Sequence, residues 1–138
     1  MADTVALELV SPEKLLMSEE VELAILPGSE GDLGVQPGHS PVIATVRPGT
    51  IAVFKGGSVE KRIFVAGGFL EITPERATVL AETAIPVEEI DQAAAQQEIS
   101  DLQDDVKVAK DDAERARAEA ALLVAEAKLE AAQSPAYA

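Results

Sequence analysis

The chain has no cysteine and no tryptophan, and among its 138 residues only three phenylalanines, one tyrosine and one histidine. Without cysteine there is no disulfide, no thiolate nucleophile and no cysteine-based zinc site. A single histidine leaves no second imidazole for a metal cluster. So few aromatics provide no platform on which bases stack. Positive charge is scarce as well: 11 Lys and Arg stand against 25 Asp and Glu, a net charge of −14. A surface of that sign repels a phosphate backbone and an anionic lipid surface alike, so nucleic acid is not expected as a partner. No stretch approaches the roughly 20 apolar residues that cross a bilayer. The start, MADTVALELV, lacks the basic residues and long apolar run of a signal peptide. The expectation is a cytoplasmic protein that reaches a membrane only through another protein.

What is present suffices for a folded core. Hydrophobic residues make up 47% of the chain, so the core must be built from Val, Ile, Leu and Ala, and one or two small domains fit the length. Composition changes abruptly near Pro86: all nine glycines and seven of the eight prolines lie at or before it, whereas residues 93–132 hold thirteen alanines and neither Gly nor Pro. This places a boundary at Ala84–Val87, dividing the sequence into domains 1–86 and 87–138. Acidity is shared, with 12 acidic and 6 basic residues before the boundary and 13 and 5 after it.

The first part reads as short strands between turns: Val5–Val10, Leu15–Met17, Val21–Leu26, Val42–Val46, Ile51–Phe54, Arg62–Val65, Phe69–Thr73 and Ala77–Leu80. Such spacing predicts an antiparallel β-sandwich or barrel. Alternation in Leu7-Glu8-Leu9 and Val21-Glu22-Leu23 puts one face in the core and one in water. Lys55-Gly56-Gly57-Ser58 reads as a hairpin tip and Gly67-Gly68 as a bend or bulge.

The second part is helical. Ala95, Ile99, Leu102, Val106, Ala109, Ala113, Ala116, Ala120, Leu123 and Ala127 recur at alternating spacings of four and three, a heptad stripe of mostly small residues. The stripe runs unbroken where a hairpin turn is expected, leaving one long helix or two helices folded back on each other. Asp111 with Glu114 is a capping signal for a second helix, and Asp104-Asp105 a weaker turn signal.

Candidates for bond chemistry are few. His39 sits in a Gly-His-Ser-Pro turn, with no second histidine or nucleophile to work with. GSEGDLG lacks the Lys-Ser/Thr that a phosphate-binding loop needs, and the aspartate pairs lack the ligand spacing of a calcium loop. The expectation is no cofactor, no metal and no catalytic residue.

The run Pro27–Gly49, PGSEGDLGVQPGHSPVIATVRPG, followed by VAGGFLEI at Val65–Ile72, closely resembles the epsilon subunit of bacterial F-type ATP synthase, and the resemblance extends over nearly the whole sequence. It implies an N-terminal β-sandwich and a C-terminal α-helical hairpin in the rotor. It implies that Ser29, Glu30, Gly31, Asp32 and Leu33 meet the ring of c subunits, while His39 and Val42, Ile43, Ala44, Thr45 and Val46 lie against the gamma subunit. Some members bind ATP on the helices through Ile/Leu-Asp-x-x-Arg-Ala. Here Ile90, Asp91 and Ala95 fit, but Ala94 replaces the arginine and removes a bidentate phosphate donor, which argues against nucleotide binding. Five basic residues among thirteen acidic ones in the helical part argue against a strong brake on the alpha/beta catalytic head. Pairs Asp111–Arg115 and Arg115–Glu119 would also use the charge internally.

The function implied is a non-catalytic central-stalk subunit, peripheral on the cytoplasmic face of the bacterial inner membrane, that couples c-ring rotation to gamma and to ATP synthesis, with at most weak regulation of hydrolysis. A free-standing binding module that docks partner helices is the alternative, and a small hydrolase built on carboxylate pairs comes last.

Overall fold

A computed structural model describes residues 3–137. Eight strands come first: β1 Val5–Val10, β2 Leu15–Val21, β3 Leu23–Gly28, β4 Gly31–Val35, β5 Val42–Thr45, β6 Gly49–Lys55, β7 Ser58–Ile72 and β8 Arg76–Pro86. A short 3-10 turn at Val87–Glu89 leads to helices α1 Gln92–Val108 and α2 Asp112–Gln133. The sheet runs β2-β1-β8-β7-β6-β3-β4, with β5 also on β7, and all pairings are antiparallel except β1 with β8.

Two layers arise because β7 changes partner along its length. Residues 58–65 pair with β6, and residues 69–72 pair with β5. Between them Gly67 and Gly68 have φ of +73° and +115°. A Cβ on Gly68 would lie 1.8 Å from the Leu80 carbonyl oxygen, so glycine is required there by close approach as well as by φ. The expected bend is present, but it does not end the strand: β8 pairs on both sides of it, Ala66 with Thr83 and Gly68 with Ala81. The two strands expected at Arg62–Val65 and Phe69–Thr73 are therefore one.

The core lies between the layers and is aliphatic, including Leu7, Leu9, Leu26, Val35, Ile51, Val53, Val65, Leu70, Ile72 and Val79. Alternation predicts it correctly in β1. At Val21–Leu26 the backbone bends at Glu22, Val21 closes β2, and the phase resets so that Ala24 and Leu26 face inward while Leu23 is half-buried. Strand β4 is glycine-rich and lies where the sequence predicts a loop. The tip at Gly56-Gly57 has positive φ at both residues between the paired Lys55 and Ser58, the two-residue turn that suits a twisted hairpin.

The helices form an antiparallel hairpin. Asp111 caps α2 by accepting from the Glu114 amide at 2.7 Å, whereas Asp104 and Asp105 lie inside α1. The turn at Ala109–Asp111 shifts the helical phase. In α1 the heptad positions Ala95, Ile99, Leu102 and Val106 are covered as expected, but in α2 Ala113, Ala116, Ala120 and Leu123 are exposed, and Ala118, Leu122, Ala125 and Leu129 are covered instead. Arg115 pairs with Asp112 at 3.1 Å rather than with Asp111 or Glu119, and Lys128 reaches Glu98 across the hairpin at 3.0 Å.

A second apolar cluster joins the parts. Phe64 and Ala66 of β7 lie on the outer face of the sandwich, buried with Val87 and Ala131, and Ile90, Val124 and Ala127 pack around them.

Candidate functional site

Pairing of Pro27 with Asp32 and Gly28 with Gly31 carries β3 into β4 through the two-residue tip Ser29-Glu30. The approach is tight, since a Cβ on Gly28 would come within 2.9 Å of the Gly31 carbonyl oxygen. Two main-chain bonds tie this hairpin to the segment that follows β5: the Ser29 amide donates to Thr45 O at 2.9 Å, and the Arg47 amide to Pro27 O at 3.0 Å. Residues that the sequence suggests as two separate contacts thus share one surface, a shallow cleft of about 360 Å³ lined by Gly28 to Leu33 and by Val42, Ile43 and Ala44.

Strand alternation divides the second set of residues. Val42 and Ala44 pack on the core and Val46 is buried, so only Ile43 and Thr45 present their side chains outward. Ile43 is 74% exposed and Phe69, opposite Thr45 on β7, is 50% exposed. Phe69 is absent from the residues that the sequence singles out, although Leu70 and Ile72 inward force it outward by period two. His39 is half-buried in the turn after β4, its Nδ1 2.6 Å from the Ser40 carbonyl oxygen. A carbonyl only accepts, so Nδ1 is the protonated nitrogen.

Asp32 is exposed but not free. One carboxylate oxygen accepts from Arg47, which also donates to Gly28 O at 2.7 Å, and the other accepts from the Tyr137 hydroxyl. Burial alone would raise the carboxyl pKa, but the hydrogen bonds from Tyr137 and Arg47 and the guanidinium charge outweigh it and hold it below the usual value. The bond to Asp32, followed by desolvation and the carboxylate charge, pushes the Tyr137 phenol up.

The C-terminal segment is fastened at further points. Arg62 donates to Ala136 O at 2.7 Å and Tyr137 O at 3.2 Å. The Tyr137 ring meets Phe54 edge-on, with centroids 6.0 Å apart. Tyr137 is the one described non-glycine residue with positive φ, +57°, a conformation that costs a bulky residue roughly 1–2 kcal/mol and needs such contacts to hold it.

At the start of α1, Asp91 is the N-cap, accepting from the Ala94 amide at 3.0 Å. Ile90 packs on the outer cluster and Ala95 is buried. Ala94 borders a groove with Glu98, Asp101, Asp105 and Lys128. Among the described residues no group of three or more His, Asp or Glu is placed to hold a metal ion, and no helix is long and apolar enough to cross a membrane.

Comparison with known proteins joins the two parts. Residues 4–87 match the family described as ATP synthase, Delta/Epsilon chain, beta-sandwich domain, and residues 91–138 match the C-terminal domain of the ATP synthase epsilon chain. The ATP synthase epsilon chain of Rhodospirillum rubrum is 48% identical over 107 residues, covering 78% of this sequence and 80% of that one. That of Rhodospirillum centenum is 51% identical over 112 residues, covering 78% and 77%. Among solved structures, one subunit of the Euglena gracilis mitochondrial ATP synthase, determined with OSCP, F1 and c-ring, superposes with a TM-score of 0.82 at 26% identity over 96% of this protein and 83% of that one.

Proposed function

The chain belongs to the ATP synthase epsilon chain family and is a subunit of the enzyme's central stalk, and from this we propose how its surfaces are used. The tip Ser29-Glu30-Gly31-Asp32-Leu33 docks on the polar loops of the c-ring. The face presented by Ile43, Thr45 and Phe69 docks on gamma, with His39 at its margin. Val46 supports that face from inside the core, and Val42 and Ala44 pack against the core beneath it. The observation that carries this reading is the joining of tip and face into one cleft by the bonds from Ser29 to Thr45 and from Arg47 to Pro27. Two partners gripped by one rigid element turn together. That is what a coupling between ring and shaft requires.

The role is mechanical and non-catalytic. The lone histidine is tied to a carbonyl, and among the described residues no group of three or more His, Asp or Glu is placed to hold a metal ion. Residues 1–86 act as the docking domain and 87–138 as an appended one. Binding of ATP at Ile90, Asp91 and Ala95 is not part of this reading, because Asp91 is spent as a cap, Ala95 is buried and the neighbouring groove is acidic. The assembly holds the subunit at the cytoplasmic face of the bacterial inner membrane without lipid contact of its own.

Reconstitution with purified gamma and c-ring tests it. Stoichiometric co-elution of the three is expected. A protein that co-elutes with neither partner, or that binds them through its helices alone, would overturn the assignment.

A further inference from the structure

We propose that the outer face of the sandwich carries a binding site for the segment that follows α2, Pro135-Ala136-Tyr137, and that this strap competes with the c-ring for Asp32. The competition rests on the reading of the tip given above; the strap does not.

Three strands contribute to the site, and each holds the peptide by different chemistry. Arg62 of β7 donates to two successive carbonyls, which fixes the peptide's direction as well as its position. Phe54 of β6 supplies an aromatic edge contact to the ring. Asp32 of β4 accepts the hydroxyl. The peptide therefore crosses the sheet from β7 to β4, and Pro135 and Ala132 border a cleft beside Arg62 at its start. A left-handed backbone at Tyr137 fits a segment held from outside rather than one following its own preference.

The strap ends on the docking tip. Asp32 lies two residues beyond Glu30, and both its oxygens already have donors. A basic or amide group on a partner that takes over this carboxylate has to displace one of them. The neutral phenol is the weaker donor, since Arg47 is charged and also anchored on Gly28 O. Docking at the tip would thus release the strap, and a bound strap would weaken docking.

The sequence supplies its own probe, because Tyr137 is its only tyrosine and it has no tryptophan. In the full-length protein, tyrosinate absorbance should show ionisation above the ordinary value of about 10, and tyrosine anisotropy should report a ring that tumbles with the whole molecule. Asp32→Asn should bring the ionisation down toward that ordinary value. Arg62→Ala should lower the anisotropy. Circular dichroism identifies any variant that has not folded, and the wild-type measurements stand without the variants. Ordinary ionisation together with the anisotropy of a freely moving ring in the wild type would overturn the strap.

The competition is read by titrating purified c-ring against wild type and Tyr137→Phe, which loses only the hydroxyl. Several-fold tighter binding by Tyr137→Phe is expected. Equal affinities would overturn the competition and leave the strap. If neither protein binds the ring, the reading of the tip fails and takes the competition with it, while the tyrosinate titration still decides the strap.

Discussion

Asp32 and Tyr137 lie 105 residues apart in sequence and share a hydrogen bond on the outer face of the sandwich. The carboxylate acceptor belongs to the tip proposed to meet the rotor ring, and the hydroxyl donor to the end of the helical part. In the proposed competition, docking at Asp32 is thereby linked to the position of the segment that carries Tyr137.

Linkage gives that contact a pH signature. The Asp32 carboxyl is held below its ordinary value, so its contribution to stability is present above about pH 3.9 and is lost as pH falls through the folded-state value. The Tyr137 phenol is raised, so its contribution is present below about pH 10 and is lost as pH rises through the folded-state value. The melting-temperature difference between wild type and Asp32→Asn should form a plateau across neutral pH and shrink toward both extremes. The side chains of Arg47 and Asp32 are 40% and 38% exposed, so solvent screening keeps the plateau low. A difference that grows below pH 4 would contradict the assignment.

Alternation within β5 predicts opposite outcomes for neighbouring substitutions. Ile43→Asp places charge on a residue already 74% exposed and should change stability by no more than about 0.5 kcal/mol. If Ile43 meets gamma, affinity should fall at least about tenfold, equivalent to roughly 1.4 kcal/mol. Val42→Asp should instead unfold the sandwich, since Val42 packs on the core. Calorimetry and gamma pull-down on the two variants separate surface from core.

Much of the sandwich was legible because its signals are local. Leu7-Glu8-Leu9 shows its faces by alternation, Gly56-Gly57 marks a tight tip, and Asp111 with Glu114 marks a helix start. The misses occur where distant parts of the sequence decide. Gly31-Asp32-Leu33-Gly34-Val35 has the composition of a loop and becomes a strand only because β3 is there to pair with it. Gly67-Gly68 looks like a break, yet β8 holds the pairing continuous across it. The unbroken stripe of alanines hides the turn at Ala109–Asp111, because small residues pattern both faces of α2 nearly alike. The fastening of Tyr137 by Arg62, Phe54 and Asp32 had no local trace, since its members are scattered over four segments of the sequence.

Gly68 should be among the least replaceable residues. Its φ of +115° and the 1.8 Å approach to Leu80 O act together, and Gly68→Ala should cost more than about 3 kcal/mol in strain and displaced backbone. Gly38, at φ +84° with open space around its Cβ position, carries only the conformational part, and Gly38→Ala should cost about 1–2 kcal/mol. Equal losses in urea melts would show that the β7–β8 approach is not a constraint.

Removing residues 88–138 should leave a folded sandwich, since the inner core draws only on residues between Val5 and Ala84. The truncation uncovers Phe64 and Ala66; Phe64 alone accounts for about 1.5–3 kcal/mol of burial. A cooperative melt at lower temperature with increased binding of an apolar dye is expected. Loss of cooperative melting would mean that the helices are part of the folding unit.

ATP at millimolar concentration should leave the melting temperature nearly unchanged. A ligand that binds only the folded state stabilises it by RT ln(1 + [L]/Kd), which is about 0.4 kcal/mol when concentration equals Kd and about 4 kcal/mol for a site a thousandfold tighter. The structure extends this expectation to Ala94→Arg, the substitution that completes the nucleotide motif. Position 94 precedes Glu98 by one helical turn and shares its groove with Asp101 and Asp105. A guanidinium there is positioned to pair with Glu98, as Lys128 does at 3.0 Å. Two further carboxylates would then repel an approaching triphosphate. Ala94→Arg alone should therefore remain unresponsive to ATP, whereas adding Glu98→Gln and Asp101→Asn should permit a measurable shift. A micromolar response from Ala94→Arg alone would show that the missing arginine, and not the acidic groove, is what keeps nucleotide away.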